Sequence, residues 1–189
     1  MSLAKRIKLA IRKYFYWHFD FDRVAEAKIK KCIRLYHTGG PIAKYRARLL
    51  WYRLQKTYTT SYPPQLTVGK NLRIEHCMGT RIGKTAVIGD NVRIYQFVQV
   101  IAKVVGDQAL RDKHARRHAK IGNNVTLSCG STIIGPVTIG DNSIIGANAL
   151  VSHDVPPNSI VVGLNQIRER KASQTLPTFS TNPWDNDND

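Results

Sequence analysis

From residue 68 the chain returns to an aliphatic side chain at every sixth position. Val68 and Ile74 begin the series, Ile82 follows after two extra residues, and Ile88, Ile94 and Val100 continue it. After a long interruption it resumes at Ile121, Leu127, Ile133, Ile139, Ile145 and Val151. Glycine often follows the anchor, as at Gly69, Gly83, Gly89, Gly122, Gly140 and Gly146. The fourth place after the anchor is small or aliphatic and never charged. Neither a 3.6-residue helix nor a two-residue strand alternation repeats at six. A coil of short flat strands does, with one inward aliphatic per strand and a glycine-favouring turn at each corner. Stacked coils then bury the anchors in a continuous column and hydrogen-bond to each other through the backbone. A β-sandwich also uses Val- and Ile-rich strands, but nothing in it holds the spacing at six. The repeat therefore specifies a mainly β chain built as a parallel β-helix.

The first third is different. Residues 1–60 hold 15 of the 29 Lys and Arg but 3 of the 13 Asp and Glu, so most of the net charge of +16 lies there. This region reads as helical. In residues 2–19, Leu3, Ile7, Ala10, Ile11, Tyr14 and Phe15 share one face, while Lys5, Lys8, Arg12 and Lys13 share the other. A second helix is expected from an N-cap near Asp22 to just before Gly39, and a third from Pro41 to about Lys56. Pro63 and Pro64 end the helical part. The expected organisation is a basic helical region over 1–60 and a β-helix over 61–171 with a protruding loop at 101–119. A polar tail over 172–189 has the composition of a disordered segment.

Cys32, Cys77 and Cys129 are far apart and form no CxxC pair, which argues against a disulfide framework or a zinc site and for a reducing compartment. No apolar run reaches the roughly 18 residues of a membrane span, and no apolar signal-peptide core follows the basic start. A cytoplasmic protein is expected. The helix at residues 1–18, with Tyr14 to Trp17, suits the inner face of an anionic membrane equally with packing on the rest of the protein. Nucleic acid is not an expected partner, because no recognised binding module accompanies the charge.

Residues 66–171 resemble the left-handed parallel β-helix acyltransferases, and within them the serine O-acetyltransferase branch. The matching stretches are "RIEHCMGTRIGKTAVIGDNVRIYQFV" (73–98), "RHAKIGNNVTLSCGSTIIG" (117–135) and "VSHDVPPNSIVVG" (151–163). The resemblance implies three hexapeptides per coil, so twelve anchors make four coils. It also implies a homotrimer, with acetyl-CoA lying in a cleft between neighbouring subunits. The acetyl group would pass directly from the thioester to a hydroxyl.

That chemistry needs a base for the alcohol and a donor for the oxyanion. An imidazole, with an ordinary pKa of about 6.5, serves as base near neutrality. By its match to the motif His76 is the expected general base. Glu75 beside it contacts the acceptor or tunes the imidazole, or is a solvated corner residue. His118 is expected to orient the acceptor or assist at the reacting centre. For the coenzyme, family position points to backbone near Cys129 and Ala147, then to Gly163 with Arg168 and Lys171 at the phosphates. In the 101–119 loop Lys103, Arg111, Lys113, Arg116 and Arg117 would add positive potential. No metal is expected.

The chain also departs from the branch. Ser61 stands where a second Asp is expected, fifteen residues before His76, and Ile101–Ala102 replace a Gly-Gly pair. With a carboxylate missing, the sequence favours a carbohydrate hydroxyl as acceptor: a sugar, a nucleotide sugar or a surface or capsular glycan, in polysaccharide biosynthesis. The alternatives are serine O-acetylation and a non-catalytic trimeric scaffold.

Overall fold

The computed structural model describes Ile7 and residues 21–103, 116–164 and 166–169, without the side chains of 168 and 169. Two helices come first, α1 (Phe21–Thr38) and α2 (Pro41–Tyr58). Fourteen short strands follow: β1 (Thr67–Val68), β2 (Arg73–Ile74), β3 (Arg81–Ile82), β4 (Val87–Ile88), β5 (Arg93–Ile94), β6 (Gln99–Ile101), β7 (Lys120–Ile121), β8 (Thr126–Leu127), β9 (Thr132–Ile134), β10 (Thr138–Ile139), β11 (Ile144–Ile145), β12 (Leu150–Val151), β13 (Ser159–Val162) and β14 (Gln166–Glu169). They form three sheets, in the orders β1-β4-β7-β10, β2-β5-β8-β11-β13-β14 and β3-β6-β9-β12. Every pairing is parallel except the last, where β14 turns back on β13. The fold is the left-handed parallel β-helix, with four full coils and a partial fifth.

The register puts anchor on anchor. Val68, Ile88, Ile121 and Ile139 stack in the first sheet. Ile74, Ile94, Leu127, Ile145 and Val161 stack in the second, and Ile82, Val100, Ile133 and Val151 in the third. All are buried except Val68, half-buried in the first coil. The repeat itself thus builds the core.

The corner between the first and second sheets carries a device the aliphatic repeat hides. Asn71, Asn91, Asn124, Asn142 and Asn158 all have φ of 54–59°. Asparagine tolerates this left-handed conformation better than most residues. Their side-chain amides link coil to coil at 3.0, 3.0, 3.0 and 3.2 Å.

The helices pack on the first coil. Ala25, Ile29, Cys32 and Ile33 of α1, and Ala47, Leu54 and Tyr58 of α2, are buried. The Cys32 thiol donates to the Ala47 carbonyl at 3.1 Å. Glu26 joins α1 to β2, accepting from the Ile74 N–H at 3.1 Å and from Lys30 Nζ at 2.6 Å. Among the described residues no helix is long and apolar enough to cross a membrane. The expected helix over 1–18 and the expected polar tail lie outside the described residues, apart from Ile7.

Candidate active site

The two-residue insertion before Ile82 lengthens one corner. Between β2 and β3 lie six residues, 75–80, where β5 and β6 are separated by four. His76 projects from this longer corner, between the second and third sheets. Its φ is 52°, and its side chain is about two-thirds exposed. A non-glycine residue held in this conformation costs about 1–2 kcal/mol, and Phe97 and Asn148 on the same edge share it, so the conformation belongs to the corner.

Helix α1 supplies the partner of this imidazole. His76 Nδ1 lies 2.8 Å from Asp22 Oδ2. Asp22 sits in the first turn of α1, one turn before Glu26, so the two carboxylates that fix α1 to the β-helix share a face. With Nδ1 occupied by a carboxylate, the ring holds its proton there and leaves Nε2 free to accept one. Glu75 does not engage the imidazole; its Oε1 lies 3.7 Å from Arg73 Nη2. Cys77 is buried, and burial, with the Asp22 charge second, pushes its thiol up to about 11. A thiol held protonated is a poor nucleophile.

His118 occupies another edge. It precedes β7, at the corner between the third and first sheets, so the two histidines stand at opposite margins of the third sheet. It lines a cleft of about 490 Å³ with Ser61, Gln55, Arg81 and Ala102. Its ring lies against Gly83, where any Cβ would overlap the imidazole. The Thr85 hydroxyl accepts the Arg117 N–H at 3.1 Å and meets His118 Nδ1 at 2.7 Å. When its own hydrogen goes to Nδ1, the ring proton sits on Nε2. Burial first, then the Arg117 and Lys84 charges, lowers the imidazole below its ordinary pKa. In that tautomer His118 presents an N–H and His76 a bare Nε2, and within one chain the two lie at opposite margins of the third sheet.

The remaining sequence candidates divide. Cys129 and Ala147 fall on the corner of His76, two and three coils further along, and Gly163 (φ +60°) ends β13 at the same edge. At about 4.8 Å per coil this edge runs roughly 19 Å from His76 to Gly163. The Arg168 side chain, Lys171, Arg111 and Lys113 lie outside the described residues. Arg116 binds the carbonyls of Pro136 and Val137 at 2.7 and 3.2 Å, so it ties the loop end to the β-helix rather than offering free charge. Among the described residues no cluster of His, Cys, Asp or Glu could hold a metal.

Residues 118–153 match the family model described as bacterial transferase hexapeptide (six repeats). The matched stretch runs from β7 to β12, within the last two full coils. Over 101 residues this hexapeptide chain is 41% identical to a serine acetyltransferase of Staphylococcus aureus, a match spanning 53% of this chain and 44% of that protein. Its structure is similar to Neisseria gonorrhoeae serine acetyltransferase, with a TM-score of 0.69 and 29% identity over 81% of this chain and 55% of that one. It is also similar to the Brucella abortus serine acetyltransferase in complex with coenzyme A, with a TM-score of 0.67 and 27% identity over 79% and 56%. The chain spans about half the length of the curated relatives it matches.

These likenesses overturn the carbohydrate acceptor and the role in polysaccharide biosynthesis, since the relatives are serine acetyltransferases rather than sugar acetyltransferases. Within the chain Ser61 lies at the His118 edge, hydrogen-bonded to Gln55 at 3.0 Å. The carboxylate on His76 comes from α1 instead. Asp22 was missed because it reads as a helix cap, yet it is one of only three acidic residues among the first 60.

Proposed function

We propose that this chain is an acetyl-CoA-dependent serine O-acetyltransferase, working as a trimer with its site between neighbouring subunits. The observation that carries the reading is His76 held through Nδ1 by Asp22 at 2.8 Å, on an edge that continues past Cys129 and Ala147. His76 Nε2 takes the proton of the serine hydroxyl as it attacks. Acetyl-CoA supplies an activated acetyl thioester with a good leaving group. The shallow corners at Cys129, Ala147 and Gly163 suit a thin chain lying along the edge, and Gly130 and Gly146 beside them carry no side chain to block it.

The separation of the two histidines supports a site shared between subunits. If the His118 edge of one copy faces the His76 edge of the next, the neutral Nε2–H of His118 meets the developing oxyanion. The same arrangement suits a zwitterion. Asp22 and Glu75 stand on one side for an ammonium, while exposed Arg81 and Lys84 stand near His118 for a carboxylate. A sugar hydroxyl would use neither charge. In this reading residues 61–171 form the catalytic unit, and α1 and α2 brace its first coil.

The test is thiol release from acetyl-CoA with L-serine as acceptor. Serine-dependent release that disappears in His76→Ala is the expected result. Failure to release thiol with serine, by a trimer shown to bind coenzyme A, overturns the acceptor. Full activity in His76→Ala overturns the base.

A further inference from the structure

Helix α2 has two apolar faces, and only one of them is covered. Ala47, Leu54 and Tyr58 are buried against the rest of the protein. Ile42, Tyr45, Leu49 and Tyr52 are 77, 62, 44 and 54% exposed. Their spacing of three, four and three residues keeps them in one stripe. At 100° per residue that stripe is centred roughly 180° from the buried face. Single exposed apolar residues are ordinary on a protein surface, but four in line on one helix mark an interaction face.

The charges beside the stripe state what it meets. Lys44, Arg46, Arg48, Arg53 and Lys56 are all exposed, and α2 contains no Asp or Glu. On the helical wheel Arg46 and Arg53 flank one side of the stripe, and Lys44 and Arg48 the other. Lys56 lies at its end, its Nζ 4.9 Å from the Tyr52 ring centre. A second copy of α2 would set five cations against five, a juxtaposition that costs several kcal/mol. Nucleic acid would take the cations but has no use for Ile42 and Leu49. An anionic bilayer takes all of them: aliphatic side chains enter the acyl boundary, tyrosines sit at headgroup level, and the Lys and Arg stems reach out to phosphate.

We propose that the outer face of α2 docks on an anionic lipid surface. The inference is independent of the acetyl-transfer reading and of the basic segment at residues 1–18. Docked there, the helix lies in the plane of the interface, with the first coil and His76 on the protein side.

The test is co-sedimentation of the full chain with phosphatidylcholine vesicles, with and without phosphatidylserine. Binding is expected to the phosphatidylserine vesicles alone and to weaken with salt. Arg46→Gln with Arg53→Gln is expected to weaken it about fivefold per charge removed. Leu49→Ser is expected to weaken it about tenfold, with its melting temperature unchanged because the side chain lies outside the core. Three results overturn the proposal. The first is α2 variants that bind vesicles as the wild type does, which places binding elsewhere, residues 1–18 included. The second is Leu49→Ser lowering the assembly mass in sedimentation equilibrium, which makes the face an interface between copies. The third is wild-type binding to a DNA duplex with none to vesicles.

Discussion

Thr85→Val tests the geometry of the His118 edge with almost no change of shape. The valine keeps the branched side chain and removes the hydroxyl that meets His118 Nδ1 at 2.7 Å and the Arg117 N–H at 3.1 Å. His118 is 8% exposed, so water does not readily replace the lost partner. Leaving such groups unsatisfied costs about 1–3 kcal/mol, which sets the expected loss of stability. The effect on turnover has a different origin. In the proposed mechanism the hydroxyl holds the ring proton on Nε2, and without it part of the population presents a bare nitrogen to the reacting centre. Removing an oxyanion donor outright costs about 10²–10³ in kcat. A ring that keeps some of the correct tautomer should lose about 10–10²-fold. Thiol-release kinetics at saturating acetyl-CoA and serine read this as a fall in kcat with little change in KM. Thr85→Ser, which restores the hydroxyl, should recover most of it. If Thr85→Val folds and keeps kcat within about twofold, or if Thr85→Ser does no better, the tautomer argument is wrong.

His76→Asn should abolish turnover by at least about 10²-fold, as loss of a general base does, while thermal melting stays level, because asparagine accepts the φ of 52°. Asp22→Asn should lower kcat/KM about 5- to 30-fold, a loss kept moderate by the exposure of His76. Urea titrations should show stability complete above pH ~6.5 and falling as the pH drops toward the lowered pKa of His118. The unfolded chain binds more protons than the native one in that window, and His118→Asn should flatten the fall. Ala147→Trp should raise the KM for acetyl-CoA about tenfold by filling the edge, with kcat at saturation nearly unchanged.

The β-helix was legible in the sequence because its core is one-dimensional. Each anchor meets only the anchor one coil away, so a period of six, from Val68 to Val151, states both the inward face and the register. His76 and His118 were legible as candidates through the family motifs around them, near the anchors Ile74 and Ile121. The helices at 21–38 and 41–58 were equally readable from Asp22, the Gly39–Gly40 pair and Pro41. What joins distant parts of the chain was not readable. Asp22 reaches His76 across 54 positions, and no local pattern encodes where a helix lands on a prism. The Thr85–His118 pair spans the long loop for the same reason. The separation of the two histidines onto different edges follows from counting corners around the coil. Only the tertiary structure decided which carboxylate meets His76, because side-chain contacts depend on how the helices pack rather than on spacing along the chain.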